Sequence, residues 1–204
     1  DVEAFTLAVA EIAIREIGQL DEKFGSSMKI SINVPPQVLE SETFIDRLMT
    51  YLTHYGMPPQ RFQCEITERG LENLGPAVYA SLARLRMKGI LLSIDDFGIG
   101  QSGLSKVKSR AFDEIKIDRS FIHDLAFSAE SRSIVESILQ LSRAVGLSVV
   151  AEGIEDESTL EHSKRLGIKN VQGYLFSKPL QLGNLLEWLT DRSNKDCDTT
   201  GPGK

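Results

Sequence analysis

Cysteine is almost absent from this chain, and paired histidines, long apolar runs and an excess of positive charge are absent altogether. Its two cysteines, Cys64 and Cys197, make neither a disulfide framework nor a metal spacing, which fits a reducing compartment. His54, His123 and His162 are scattered without ligand spacing and read as surface or satisfied histidines. No stretch reaches the roughly 18 apolar residues that a membrane span needs, and no charged-then-apolar leader opens the chain. The net charge of −6 argues against a nucleic-acid surface. The expected location is the cytoplasm. The first residue is Asp1 rather than Met, so an upstream segment is expected, and the longer parent could be tethered to a membrane.

What is present is a globular composition of 204 residues, 41% hydrophobic and 25% charged, enough for one domain with a sizeable core. The hydrophobic period switches repeatedly between helix-like and strand-like runs. A helix is expected over Ala4–Leu20, closed near Gly25, and Lys29–Val34 then reads as a strand stopped by Pro35-Pro36. A second helical stripe runs from Phe44 to Tyr55, and Phe62–Thr67 is a strand. A helix opening on Pro76 and stopping at Gly89 precedes the strand Ile90–Ile94, whose apolar run suggests that both faces are covered. The second half repeats the scheme. Strands are expected at Ile115–Asp118, Leu147–Ala151 and Val171–Phe176, and helices at Ile134–Val145, Leu160–Leu166 and Leu182–Leu189. Alternating strands and helices imply a parallel sheet. We assign residues 1–190 to the domain and read 191–204 as a flexible polar tail.

Each strand candidate ends near a polar side chain: Asn33, Glu65, Asp95 with Asp96, Lys116, Glu152 and Gln172. At the carboxyl ends of parallel barrel strands such groups share one mouth, where chemistry sits. Clustered carboxylates repel and raise one another's pKa unless a cation intervenes, and oxygen donors without Cys or paired His favour Mg²⁺ or Mn²⁺ over Zn²⁺. Neighbouring strand residues point to opposite faces, so Asp95 and Asp96 can serve one site only where the strand ends and turns, which Gly98 and Gly100 permit. One of the two acids could then bridge two ions about 3.5–4 Å apart, a clamp suited to in-line phosphoryl displacement. Lys116 offers a compact cation for a phosphate oxygen or an attacking water. Each piece has a plainer reading. Asp-Asp before a glycine is also a turn signal, a strand-end lysine is commonly solvated, Glu65 can pair on the surface, and Asn33 can simply finish its strand.

The phrases SINV, EITE, IDDFGIGQS, EIKIDRSFI, VVAEGIE and QGYLFSKPL, in this order, closely resemble the EAL-domain family of bacterial cyclic di-GMP phosphodiesterases, up to about Leu189. The resemblance implies a TIM-like (β/α) barrel that hydrolyses cyclic di-GMP to linear pGpG with two Mg²⁺ or Mn²⁺ ions, and Ca²⁺, which prefers longer bonds and more ligands, is expected to inhibit it. It makes Asn33, Glu65, Asp95, Asp96 and Glu152 metal-site residues and Lys116 the lysine near the attacking water. Asp118, Glu155 and Gln172 match supporting positions, Glu68 the acid that steadies the loop after the Asp pair, and Pro179 the guanine side of the pocket. It also implies a homodimer, with a sensor, response-regulator or GGDEF domain upstream.

Two departures qualify it. The name-giving Glu-Ala-Leu, the Arg that follows it and about two strands and one helix of the family pattern do not occur here, so about six of eight strands are expected and the barrel is truncated at its N-terminus. An unclosed barrel leaves strand edges unpaired. The segment Ile99-Gly100-Gln101-Ser102-Gly103 also differs from the family's Thr-Gly-Tyr-Ser-Ser. Three readings follow: a phosphodiesterase, whose isolated segment is catalytically impaired; a regulatory module that binds cyclic di-GMP or a protein partner without cutting; or an interaction scaffold. Retention of the repelling acids favours the first.

Overall fold

The computed structural model describes residues 1–25, 28–72, 74–100 and 111–198, with side chains through 193. Among these residues six parallel strands form one sheet in sequential order: β1 (Ile30–Asn33), β2 (Phe62–Thr67), β3 (Leu91–Phe97), β4 (Glu114–Ile117), β5 (Ser148–Ala151) and β6 (Asn170–Val171). Helices link them: α1 (Val2–Phe24) before β1, α2 (Pro36–Leu39) and α3 (Phe44–His54) before β2, α4 (Pro76–Met87) before β3, α5 (Arg119–His123) and α6 (Ala129–Val145) before β5, α7 (Glu157–Arg165) before β6, and α8 (Leu182–Asp198) last. The architecture is that of a truncated TIM-like barrel, an open arc of parallel strands with helices on its outer side.

The pleat explains the layering. Side chains alternate across a strand, and one face is apolar: Ile32 on β1, Phe62, Cys64 and Ile66 on β2, Leu92 and Ile94 on β3, Ile115 and Ile117 on β4 and Ala151 on β5 are all buried. Against it lie the buried stripes of the helices, such as Leu7, Ala10, Ile14 and Ile17 of α1 and Phe44, Ile45, Leu48 and Leu52 of α3. The opposite, inner face is polar. The third strand is covered on both faces, as its apolar run suggests, with Leu92, Ser93 and Ile94 all buried, although the inner face carries the polar Ser93 and Asp95.

Local chemistry sets most boundaries. Asp1 caps α1, its side chain accepting from the Glu3 N–H at 3.0 Å, and Gly25 ends the helix at φ 85°. Ser128 caps α6 in the same way and Gly146 closes it in the left-handed region at φ 80°. Arg61 ties the end of α1 to the start of β2, donating to both Asp21 carboxylate oxygens at 2.6 Å and to the Met28 carbonyl at 2.7 Å.

Other boundaries differ from the sequence reading. Pro35-Pro36 does stop β1, but Pro36 also opens α2, since proline suits a first helical turn. Asp118 is not a strand residue; it caps α5, accepting from the Ser120 N–H at 2.8 Å. The strand expected over Val171–Phe176 ends at Val171, because Gly173 brings the chain against Ile154, whose carbonyl then accepts from the Leu175 N–H at 3.0 Å. A Cβ on Gly173 would lie 2.1 Å from that carbonyl oxygen. α8 continues past the Leu182–Leu189 stripe to Asp198; residues 199–204 lie outside the described residues. No described helix is long and apolar enough to cross a membrane.

Candidate metal centre

β3 contains the feature on which the site depends. Its register with β4 runs Ile94 opposite Ile115 and then Phe97 opposite Ile117, so Asp95 and Asp96 together stand across from the single Lys116. This is a β-bulge. Asp96 takes the strain, with φ at 54°, a left-handed conformation that Asp tolerates better than most side chains. The two acids therefore reach one site from inside a strand rather than from the turn after it. Glu68 holds the segment beyond: its Oε2 accepts from the N–H groups of Gly98 and Gly100, both at 2.9 Å. Residues 101–103 of the divergent loop lie outside the described residues.

Lys116 sits among carboxylates. Its buried Nζ lies 2.7 Å from Glu152 Oε1, 3.0 Å from Glu65 Oε2 and 3.3 Å from Asp95 Oδ1. Burial alone would lower the lysine pKa, but the Glu152 hydrogen bond and the charges of Glu65, Glu152 and Asp95 outweigh it and hold the ammonium above its ordinary range. Burial raises the Glu152 carboxyl, and the nearby ammonium offsets this only in part. Asp96 is also raised, first by burial, then by the charges of Asp95 and Asp118 and a hydrogen bond to Asp118.

A cation fits here. Asp95, Asp96 and Glu152 each offer a carboxylate oxygen, and these oxygens lie within 4.8 Å of one another. Asp95 Oδ1 is buried and accepts no hydrogen bond, because the lysine at 3.3 Å is near enough to pair but not aligned to donate. A buried carboxylate oxygen without a donor is costly unless a positive ion completes it. An all-oxygen donor set selects a hard divalent ion such as Mg²⁺ or Mn²⁺.

The other expected residues are placed as follows. Glu65 joins the cluster through Lys116, and Asn33, exposed, is its register partner on β1. Gln172 follows β6, its N–H donating to the Ala151 carbonyl beside Glu152 at 2.8 Å. Glu155 lines a cavity of about 310 Å³ with Arg119, Ser120, His123, Asp124 and Gly153. Pro179 is exposed in the segment before α8. Sequence reasoning missed the bulge and the residues beneath the acids. The signal for the bulge was in the chain: two adjacent acids that both face one site need an extra residue in the pleat.

The EAL domain family model matches residues 2–179. The chain belongs to the EAL domain family. It is 33% identical to the cyclic di-GMP phosphodiesterase RocR of Pseudomonas aeruginosa over 85% of this chain and 43% of that protein, so it spans less than half of that relative's length. Among solved structures, the EAL enzyme Bd1971 in its cAMP- and cyclic-di-GMP-bound form superposes with a TM-score of 0.85 at 30% identity, covering 91% of this chain and 51% of that one. Klebsiella pneumoniae BlrP1 in a manganese/cy-diGMP complex gives 0.81 at 32% identity, covering 87% and 45%. A calcium/cy-diGMP complex of BlrP1 gives 0.80 at the same identity, covering 87% and 44%. As an EAL domain the chain shares its arc of strands with these proteins.

Proposed function

We propose that this chain is the catalytic domain of a divalent-metal-dependent phosphodiesterase that opens cyclic di-GMP to linear pGpG. The observation that carries the reading is the buried, donor-less Asp95 Oδ1 facing Asp96 and Glu152 beside Lys116. Likeness to RocR and to the nucleotide complexes of Bd1971 and BlrP1 supports the substrate.

Asp95, Asp96 and Glu152 would hold the ions, with Glu65 and Asn33 completing the set from β1 and β2. When bound, two Mg²⁺ or Mn²⁺ ions polarise a phosphate ester and lower the pKa of water for in-line attack. Lys116 supplies a fixed ammonium at the centre of the acids, positioned to hold a water or a phosphate oxygen. Glu68 keeps the backbone after the acid pair in place through Gly98 and Gly100. Asp118 shapes the start of α5 and meets Asp96, while Glu155, Gln172 and Pro179 border the substrate side. Water adds to one phosphorus and one ester bond of the ring opens.

The reading extends beyond this chain. Residues 1–190 would act as the domain, in the bacterial cytoplasm and as a homodimer, with a sensor, response-regulator or GGDEF domain in the longer parent. The span of less than half of RocR leaves room for such a neighbour.

Because the segment alone is expected to be catalytically impaired, the test is incubation of the longer parent with cyclic di-GMP and Mg²⁺ or Mn²⁺, with products separated by chromatography. Metal-dependent appearance of pGpG is expected. Replacing the metal with Ca²⁺ should stop turnover, because longer bonds and more ligands do not suit the same site. Tight binding of intact nucleotide without cleavage would instead assign a regulatory module.

A further inference from the structure

The inner face of the sheet is polar at two levels. Two residues before each acid-end position, on the same side of the pleat, stand Ser31, Gln63, Ser93, Glu114, Val150 and Asn170, five of them polar. Ser31 and Asn170 at the two ends of the arc are exposed, but Gln63 and Ser93 are buried, where unpaired polar groups are costly, so the middle of the row must be satisfied internally. It is organised around Glu114. Its Oε1 accepts from Gln63 Nε2 at 2.6 Å and from Ser93 Oγ at 3.4 Å, and its Oε2 accepts from Ser148 Oγ at 3.1 Å. Gln63 and Ser93 are buried, so their bonds to Glu114 form largely away from bulk water, where they are stronger, whereas the Ser148 bond is exposed.

The connectivity matters more than any single bond. One carboxylate on β4 joins side chains of β2, β3 and β5, with Gln63 reaching across β3 to meet it. These four strands deliver Glu65, Asp95 and Asp96, Lys116 and Glu152. The bulge interrupts the β3–β4 register directly above the Ser93–Glu114 pair, so the backbone ladder alone leaves the acids least constrained where the spacing is most demanding.

We propose that Glu114 is a positioning residue: its links to Gln63, Ser93 and Ser148 fix the strand spacing that sets the acidic oxygens for a divalent ion. The inference rests on the reading of the site as a metal centre. Partners behind a ligand set commonly alter metal affinity or activity by about 10–100-fold when removed.

The test is Mn²⁺ titration of the full chain by calorimetry, well below its melting temperature. Gln63→Leu and Glu114→Leu are each expected to weaken Mn²⁺ binding by about tenfold or more. The exchanged pair Gln63→Glu with Glu114→Gln, which restores one amide–carboxylate bond in reverse, should recover most of that loss. A role confined to general packing would not show this recovery. Folded leucine variants that bind Mn²⁺ as the parent does, or an exchange that restores nothing, would overturn the proposal. Where the leucine variants do not fold, Ser148→Ala removes one exposed donor and should still weaken binding by a smaller factor; unchanged affinity there would also overturn it. If the parent binds Mn²⁺ but leaves cyclic di-GMP intact, the proposed function falls while the titrations still decide the role of Glu114. A parent that binds no Mn²⁺ overturns both.

Discussion

The outer and inner faces of this sheet obey opposite rules. On the outer face Cys64, Ile66, Ile94, Ile115 and Ile117 are fully buried and apolar, and each is held by volume and contact alone. The Cys64 thiol, pushed up to about 12 by burial, belongs to that layer as a small apolar group. On the inner face nearly every group needs a specific partner, and the acids have one buried ammonium to share. The outer face therefore supplies folding free energy, whereas the inner face costs folding free energy in exchange for a place to hold a cation.

Removing the ammonium should break that contrast most severely. In Lys116→Met the carboxylates of Glu65, Asp95 and Glu152 lose their shared counter-charge, and removing one partner from a buried ion pair typically costs about 3–5 kcal/mol. Chemical denaturation of the metal-free variant near neutral pH should show a loss of that order, shrinking in acid as the carboxylates neutralise. A variant as stable as the parent at pH 8 would mean that the inner face is not electrostatically costly.

Next in size is Ile94→Ala on the outer face, next to Asp95. Truncation of a buried isoleucine costs about 2–5 kcal/mol through lost transfer energy and the cavity left behind. The loss should be nearly independent of pH, and the folded variant should bind Mn²⁺ almost as the parent does. A strong pH dependence would erase the distinction between the faces.

The smallest effect concerns protons and metal together. Glu152 and Asp96 have folded-state pKa values raised above their unfolded ones, chiefly by burial. Such groups contribute stability that is fully present below the unfolded pKa and is lost as pH rises through the folded value. Metal ligation needs the deprotonated acids, so it strengthens in the same direction. Melting temperatures in chelator and in Mn²⁺ should accordingly diverge as pH rises from about 5 to 8. In Asp96→Asn the chelator curve should slope less; an unchanged slope would remove Asp96 from this linkage.

Much of this was legible in the chain because periodicity and punctuation are local. Gly25, Gly89 and Gly146 marked helix ends, and the parallel order of strands followed from their alternation with helices. The acid set was legible because one strand after another ended in a group of similar chemistry. What was hidden depended on relations between strands. The partnership of Gln63 with Glu114 spans two strands and has no spacing signature. The early end of β6 follows from the close approach of Gly173 to Ile154, a contact that only the folded chain defines. Asp118 could be read as the end of a strand because capping and strand termination favour the same residue there.

One residue of β3 is supernumerary. Ile94 packs outward opposite Ile115, and Phe97 packs outward opposite Ile117, so the pleat resumes after Asp96 as though that residue had not been counted. Deleting Asp96 would leave Asp95 facing the mouth and Phe97 facing the helices. The second carboxylate is thus detachable: a one-codon deletion would convert a site with paired acids into one with a single acid, and a one-codon insertion would restore it, with every other side chain of the strand still on its original face.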